Sequence, residues 1–210
     1  MGVALAKLHN VPVATNAPVG KSWWYADNII GSALAQLALV DGQMPPKWQP
    51  LHNAMRTTLE TAQHWTHLPR TIIHGDAWAG NAVQTGPNDV VLIDWDPSGI
   101  GWPLLDLARL LIQSPVDLST PVDVVLQPDL QRIDALVDGY CTHRVPSGAE
   151  IAVLPESVRF TAAAGGAWHF MQGPHKGWQR VGPILARRQH RYDVSDAFAS
   201  VAHKRLEQHM

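Results

Sequence analysis

The sequence predicts a mostly helical α+β domain in which one short β-hairpin interrupts a series of helices. Three observations lead there. Most of the 210 residues fall in segments whose apolar side chains recur at helical spacing between Pro- and Gly-containing breaks. Between residues 71 and 93 that period gives way to short β-branched runs, Thr71-Ile72-Ile73 and Val90-Val91-Leu92-Ile93. An apolar fraction of 46% on a chain of this length supplies the core of one domain, or at most two small ones.

The elements follow in order. Residues 3–9 form a short helix stopped by Asn10-Val11-Pro12. Residues 23–40 contain no proline and carry Trp24, Ile29, Ile30, Leu34, Leu37 and Leu39, a buried helix ended by Asp41-Gly42 and Pro45-Pro46. Residues 51–65 place Leu51, Met55, Leu59, Ala62 and Trp65 on one helical face. A single hairpin region then spans 71–93, with a middle segment at 82–85 and a turn by composition at Gly86-Pro87-Asn88-Asp89. After Pro103 the chain is helical again near 104–113, 129–143 and 155–171, with two further helices toward the C-terminus.

Composition narrows the function classes. A formal net charge of −2 gives no case for nucleic acid. No apolar window reaches the length of a membrane span, and Lys7 and His9 break the N-terminal apolar run that a signal peptide would need. Cys141 is the only cysteine, so an intrachain disulfide is excluded and a reducing, cytoplasmic setting is expected. Charge is uneven: seven acids face three arginines over residues 114–160, and seven Lys or Arg face three acids from Thr161 onward. This reads as two solvated helical faces that partly compensate each other.

The chemistry concentrates in His74-Gly75-Asp76-Ala77-Trp78-Ala79-Gly80-Asn81 and, after the hairpin, Asp94-Trp95-Asp96. An Asp followed five positions later by an Asn, and then by a second Asp closing an apolar run, is what phosphoryl transfer from a nucleotide requires. One carboxylate receives the acceptor hydroxyl proton, while an amide and another carboxylate hold the metal that neutralises the phosphates. Asp76 is the catalytic candidate, against the plain alternative of a loop carboxylate bonded to a backbone amide. Asn81 and Asp94 offer the hard oxygens that magnesium prefers. Asp96 stands either by a metal or phosphate, or as a cap on the next loop.

This pattern, H-G-D with its downstream Asn and then I-D-W-D, resembles the aminoglycoside phosphotransferase and choline kinase-like family. Gly101-Trp102-Pro103-Leu104-Leu105-Asp106-Leu107-Ala108 is similar to that family's G-x-P-x-x-D-L-A segment, and Ala6-Lys7-Leu8-His9-Asn10-Val11-Pro12 to the helix end after its hinge. The resemblance implies a protein-kinase-like large, C-terminal lobe over residues 1–210, with the hairpin carrying the catalytic loop. It implies ATP or another nucleoside triphosphate, Mg2+, and a small-molecule hydroxyl acceptor. His74 and Asp106 become supports of the loop rather than reacting groups, and Trp78 and Trp95 pack the site. Trp95 is expected in the core. The family's small lobe, with its nucleotide-covering hairpin and phosphate-binding Lys, should precede Met1 and is expected to be absent from this chain. Gly2, Gly20, Gly31 and Gly42 are isolated, and Lys7, Lys21 and Lys47 lie in helix ends or loops.

Three functions are weighed. The first is a phosphotransferase acting on a small-molecule hydroxyl, incomplete as this chain. The second is a non-catalytic lobe, either a remnant or an interaction module. The third, a metal-dependent hydrolase built on His74, Asp76, Asp94 and Asp96, leaves Asn81 and the 101–108 segment unexplained. The acceptor is unknown, although Asp134 and Asp138, one helical turn apart, suggest a cation. A complementary small lobe, or self-association, is expected to cover an apolar face carrying Leu5, Leu8 and the surroundings of Asp94.

Overall fold

The structure, a computed structural model, describes residues 1–13, 26–87, 89–113 and 130–210. The helices are α1 (Gly2–His9), α2 (Ala26–Ala38), α3 (Gln49–Thr61), α4 (Pro103–Gln113), α5 (Leu130–Cys141), α6 (Gly148–Ala152), α7 (Leu154–Met171), α8 (Gly173–Lys176) and α9 (Trp178–Glu207). Residues 23–25 of the second expected helix, Asn88 of the expected turn, and the acidic run from 114 to 129 lie outside the described residues.

Helix starts follow local chemistry. Pro50 and Pro155 sit in the first turns of α3 and α7, where a missing N–H costs no intrahelical bond. The short α6 has a complete capping box: Ser147 accepts from the Glu150 amide, and the Glu150 carboxylate accepts from the Ser147 amide. Past Thr61 the chain tightens into a 3-10 turn, Ala62–His67, so the third helix is shorter at its end than its apolar pattern suggested. Ala62 and Trp65, three apart, are both buried, a spacing that fits the tighter turn as well as an α-helix.

Helix α7 is the hub, packed against α2, α3, α4 and α9. Its stretch Ala162-Ala163-Ala164-Gly165-Gly166-Ala167 lets neighbours approach closely, with Met55 of α3 lying over Gly166. Phe160, Phe170, Phe198, Leu107, Leu110 and Leu59 are fully buried around it. Each such side chain contributes about 1.5–3 kcal/mol of transfer free energy.

The sheet differs from the single expected hairpin. Strands β2 (Ala82–Gln84) and β3 (Val90–Leu92) form that hairpin, in the register Ala82↔Leu92. Strand β1 (Thr71–Ile73) pairs instead with β4 (Gly99–Gly101), antiparallel, with Ile73 opposite Gly99. Two glycines in three residues have poor strand propensity, so β4 reads as loop in the sequence. Its pairing is tertiary in origin. The result is topological: loop 74–81 leaves β1 where β4 arrives, and enters β2 where β3 departs. The two loops that carry the motif residues are therefore held side by side.

Leu5 was expected on an exposed face but points into the core, and Leu8 is half-buried against it. The hairpin does expose Val83, Val91, Ile93 and Trp95. Among the described residues no helix is long and apolar enough to cross a membrane.

The seat of α1 on α5 sets a test. A Cβ at Gly2 would overlap the Leu136 carbonyl oxygen and the Tyr140 amide of α5, backbone atoms that cannot step aside. Gly2→Ala is expected to lower stability by roughly 1–3 kcal/mol. Gly148→Ala, which meets nothing within 4 Å, should be neutral or slightly stabilising. Urea denaturation of both variants checks the contrast; equal effects would show that α1 does not depend on this close approach.

Candidate functional site

The site is built on a buried carboxylate. Asp106, in the first turn of α4 and 1% exposed, accepts from the His74 amide (2.6 Å) and the Gly75 amide (2.8 Å). His9 Nε2 lies 3.2 Å from the same carboxylate, and His9 Nδ1 is 2.7 Å from the Tyr140 hydroxyl. Arg144 donates to Tyr140 (3.1 Å) and to Glu150 (2.9 Å). Burial pushes the Tyr140 hydroxyl well above its ordinary range, so it remains a donor. One tautomer satisfies the whole series: Arg144 to Tyr140, Tyr140 to His9 Nδ1, His9 Nε2–H to Asp106. Asp106 thus bonds the loop backbone at its first two residues, His74 and Gly75.

His74 links the two motif loops. It is fully buried, its Nδ1 accepts from the Asp76 amide (3.3 Å), and its Nε2 donates to the Ile93 carbonyl (2.9 Å). Both ring nitrogens are consumed by backbone, which leaves none for a metal. Among the described residues no three His, Cys, Asp or Glu side chains converge on a metal position, so the hydrolase reading has no cluster to use. Gly75 has φ 80°, and a Cβ there would strike the Pro97 carbonyl, so the turn after Asp94 packs directly on loop 74–81.

Asp76 is one-fifth exposed. Its Oδ2 accepts from Asn81 Nδ2 (2.9 Å), whose other bond goes to the Asp76 carbonyl (3.0 Å), and its Oδ1 pairs with Arg109 of α4. The Asn81 carbonyl in turn accepts from the Ile93 amide (3.0 Å), which sets Asp94 one residue away. Asp94 is exposed and has φ 64°, a left-handed conformation uncommon for a residue with a side chain. Neither Asn81 Oδ1 nor the Asp94 carboxylate makes a hydrogen bond or ion pair among the described residues. Two hard oxygens without a partner among the described residues, on adjoining backbone, are donors of the type that a divalent cation takes. Asp96 is also exposed.

Some readings change. Trp95 stacks against His74 with ring centroids 4.6 Å apart and donates to the Leu92 carbonyl (2.9 Å), yet it is 43% exposed rather than core. It lies past the end of β3, in the loop that leads to β4, where one face is left without cover. Asp138 does not face the site. It receives Arg205 through Nε (2.7 Å) and Nη2 (2.6 Å), and His209 at 2.9 Å, which hold its carboxyl down at about 2. That pair ties α5 to the end of α9.

Arginine is what sequence reasoning missed. Arg109 lies three residues past Asp106 and reads there as an ordinary polar position on an apolar helix. Burial pushes its guanidinium below the ordinary value, while the charges of Asp76 and Asp106 pull it back up. Arg188 of α9 is coupled to both Arg109 and Asp76; burial and its neighbours lower it to about 9, so it stays cationic at neutral pH. Arg188 donates to His169 Nε2 (2.9 Å).

The model of the phosphotransferase enzyme family matches residues 1–145. No curated protein matches the chain. Among solved structures, the chain is similar to a choline/ethanolamine kinase family protein from Mesorhizobium loti, with a TM-score of 0.60 and 17% identity over 99% of this chain and 65% of that one. An ethanolamine kinase from Plasmodium vivax gives a TM-score of 0.63 at 16% identity, covering 95% of this chain and 59% of that one. An amicoumacin kinase in complex with AMP-PNP, Ca2+ and Ami gives 0.60 at 13% identity, covering 93% and 56%. The fold is therefore that of a protein-kinase-like large lobe, and the chain spans 56% to 65% of the length of these proteins.

Two outcomes follow from the geometry. Asp106→Asn sets an amide donor against backbone N–H groups that now donate to a carboxylate, and leaves at least one without an acceptor. A loss of about 1–3 kcal/mol is expected in urea denaturation; a neutral result would show that the buried carboxylate is not needed. The second concerns acid. Burial first, then the charges of Arg188, Arg191 and Lys176, depress the His169 imidazole from 6.5 to about 4. The unfolded chain therefore takes up this proton before the folded one. Its stability contribution is complete above pH 6.5 and is lost as pH falls toward about 4. Thermal melts of His169→Gln against the parent chain should show that part of the slope disappear.

Proposed function

The chain belongs to the phosphotransferase enzyme family, and from that membership we propose that it forms the large lobe of a nucleotide-dependent kinase acting on a hydroxyl of a small molecule. The observation that carries this reading is the junction of Asp76, Asn81 and the Asp94 loop, locked from behind by His74 and Asp106. The amicoumacin kinase with AMP-PNP and Ca2+ supports a nucleoside triphosphate and a divalent cation.

In this reading Asp76 is the catalytic residue. Asn81 and Arg109 fix its carboxylate in one orientation, so that it can hydrogen-bond the acceptor hydroxyl and take its proton as the oxygen attacks the terminal phosphorus. Asn81 Oδ1 and the Asp94 carboxylate would hold the magnesium, which when bound neutralises phosphate charge and orients the nucleotide. Asp96 stands close enough in sequence to serve the same cation through water. The exposed side chains Val83, Val91, Ile93 and Trp95 then receive a small lobe, or a second copy of the chain.

The roles separate by mutation. Asp76→Asn keeps the shape and removes the proton acceptor; turnover should fall ~10²–10⁴-fold with AMP-PNP binding largely retained. Asp94→Asn should weaken Mg2+-dependent AMP-PNP binding together with turnover. Titration calorimetry and phosphoryl-transfer assays of both variants test the assignment. Equal, mild effects would favour a non-catalytic lobe that serves as an interaction module.

A further inference from the structure

The charge beside Asp76 is the reverse of what a cationic acceptor would meet. Arg188 and Arg191 stand one turn apart on α9, and Arg191 is 8% exposed, on the packed face that also carries Leu185, Ser195 and Phe198. Arg188 has a neutral imidazole as its partner. Arg191 makes no hydrogen bond or ion pair among the described residues, and the charges acting on it are those of Arg109 and Arg187, both of its own sign. The carboxylates acting on this group are Asp76, which acts on Arg109 and Arg188, and Asp106, which acts on Arg109. Lys176 adds a further positive charge next to His169.

The Arg191 side chain is packed down to 8% exposure, yet its guanidinium nitrogens still reach solvent, so an anion can approach them. The forked guanidinium matches a carboxylate or a phosphate. The recess between Gly75, Asp106, Arg109 and Phe160 holds only about 20 Å³, space for a water rather than a substrate.

We propose that Arg188 and Arg191, with Arg109 behind them, form an anion subsite next to Asp76 that holds a carboxylate or phosphate group of the hydroxyl-bearing acceptor. This rests on the phosphotransferase reading for the word acceptor; the subsite itself rests on the arginines. It replaces the cationic acceptor that Asp134 and Asp138 suggested, since Asp138 is engaged with Arg205 and His209.

Titration calorimetry of the full 210-residue chain at constant ionic strength tests it, with glycerate and inorganic phosphate as probes and ethanolamine as the cationic control. Both anions should bind and ethanolamine should not. Arg191→Met should weaken the anions by at least about tenfold, the cost of removing one partner of a buried charge pair. Its melting temperature should hold, because Arg191 gives up no hydrogen bond or ion pair among the described residues. Arg191→Lys should recover part of the affinity. The anions should still bind in the presence of saturating AMP-PNP and Mg2+. Equal anion affinity in the parent chain and Arg191→Met, or no anion binding by the parent chain, overturns the subsite. So does displacement of both anions by AMP-PNP with a matching loss of nucleotide affinity in Arg191→Met, which would assign the arginines to nucleotide phosphates. Asp76→Asn separates the two readings: it should abolish turnover but preserve or strengthen anion binding. Lost turnover without any Arg191 effect on anions leaves the kinase and removes the subsite; the reverse removes the kinase alone.

Discussion

The carboxylate of Asp106 is the constraint on which the rest of the site depends. It is buried, and its two oxygens accept from successive backbone amides, His74 and Gly75, and from the ring of His9. A charge in that place is tolerable only because every neighbour donates to it. The consequence spreads in two directions. Forward, the peptide planes at 74 and 75 are fixed, so the His74 ring can bridge the Asp76 amide and the Ile93 carbonyl. Backward, His9 passes the constraint to Tyr140 on α5 and to Arg144 and Glu150 beyond. Elements distant in sequence, α1, α4 and α5, are thereby joined through side chains whose donors and acceptors alternate without conflict.

That arrangement explains why some of the chain could be read in advance. The spacing of His74, Asp76 and Asn81 is set within one loop, and Asp94 follows from a strand of β-branched residues, so local sequence carries the pattern. The helices of the second half were legible from the Pro- and Gly-containing loops that bound them: the segment 155–171 became α7 almost unchanged. Strand β4 was not legible, because Gly99 and Gly101 are poor strand formers and their partner, β1, lies almost thirty residues earlier. The capping box of α6 did have a signal, Ser147 with Glu150 three residues on, and it specifies a helix of only five residues that apolar periodicity is too coarse to find.

The arginines mark a different limit. Arg187-Arg188-Gln189-His190-Arg191 reads as a charge run on a long polar helix, and charge runs are commonly solvated faces. Which of these side chains turns inward depends on how α9 crosses α4 and α7, a property of packing that no window of sequence contains. The same is true of Asp138, whose place in an acidic stretch suggested a substrate and whose contacts are with the far end of α9. In both cases the residue type was visible and the partner was not.

The polarity of the site follows from where its side chains originate. The oxygens of Asn81 and Asp94 come from the loops that flank the hairpin, Asn81 buried and Asp94 exposed, and neither has a cationic partner among the described residues. The guanidinium groups come from α4 and α9, which belong to the packed body. On the proposed reading a cation is held on the hairpin side and an anion on the helical side, with Asp76 between them, bonded to Asn81 from one and to Arg109 from the other. Between side chains as little exposed as Asp76 and Arg109 such a gradient acts at greater strength than it would in water. A molecule that carries its hydroxyl beside an anionic group would be turned by that gradient so that the hydroxyl meets Asp76 and the anion meets the arginines. Orientation of that kind is supplied by fixed charges alone and requires no movement of the helices that hold them.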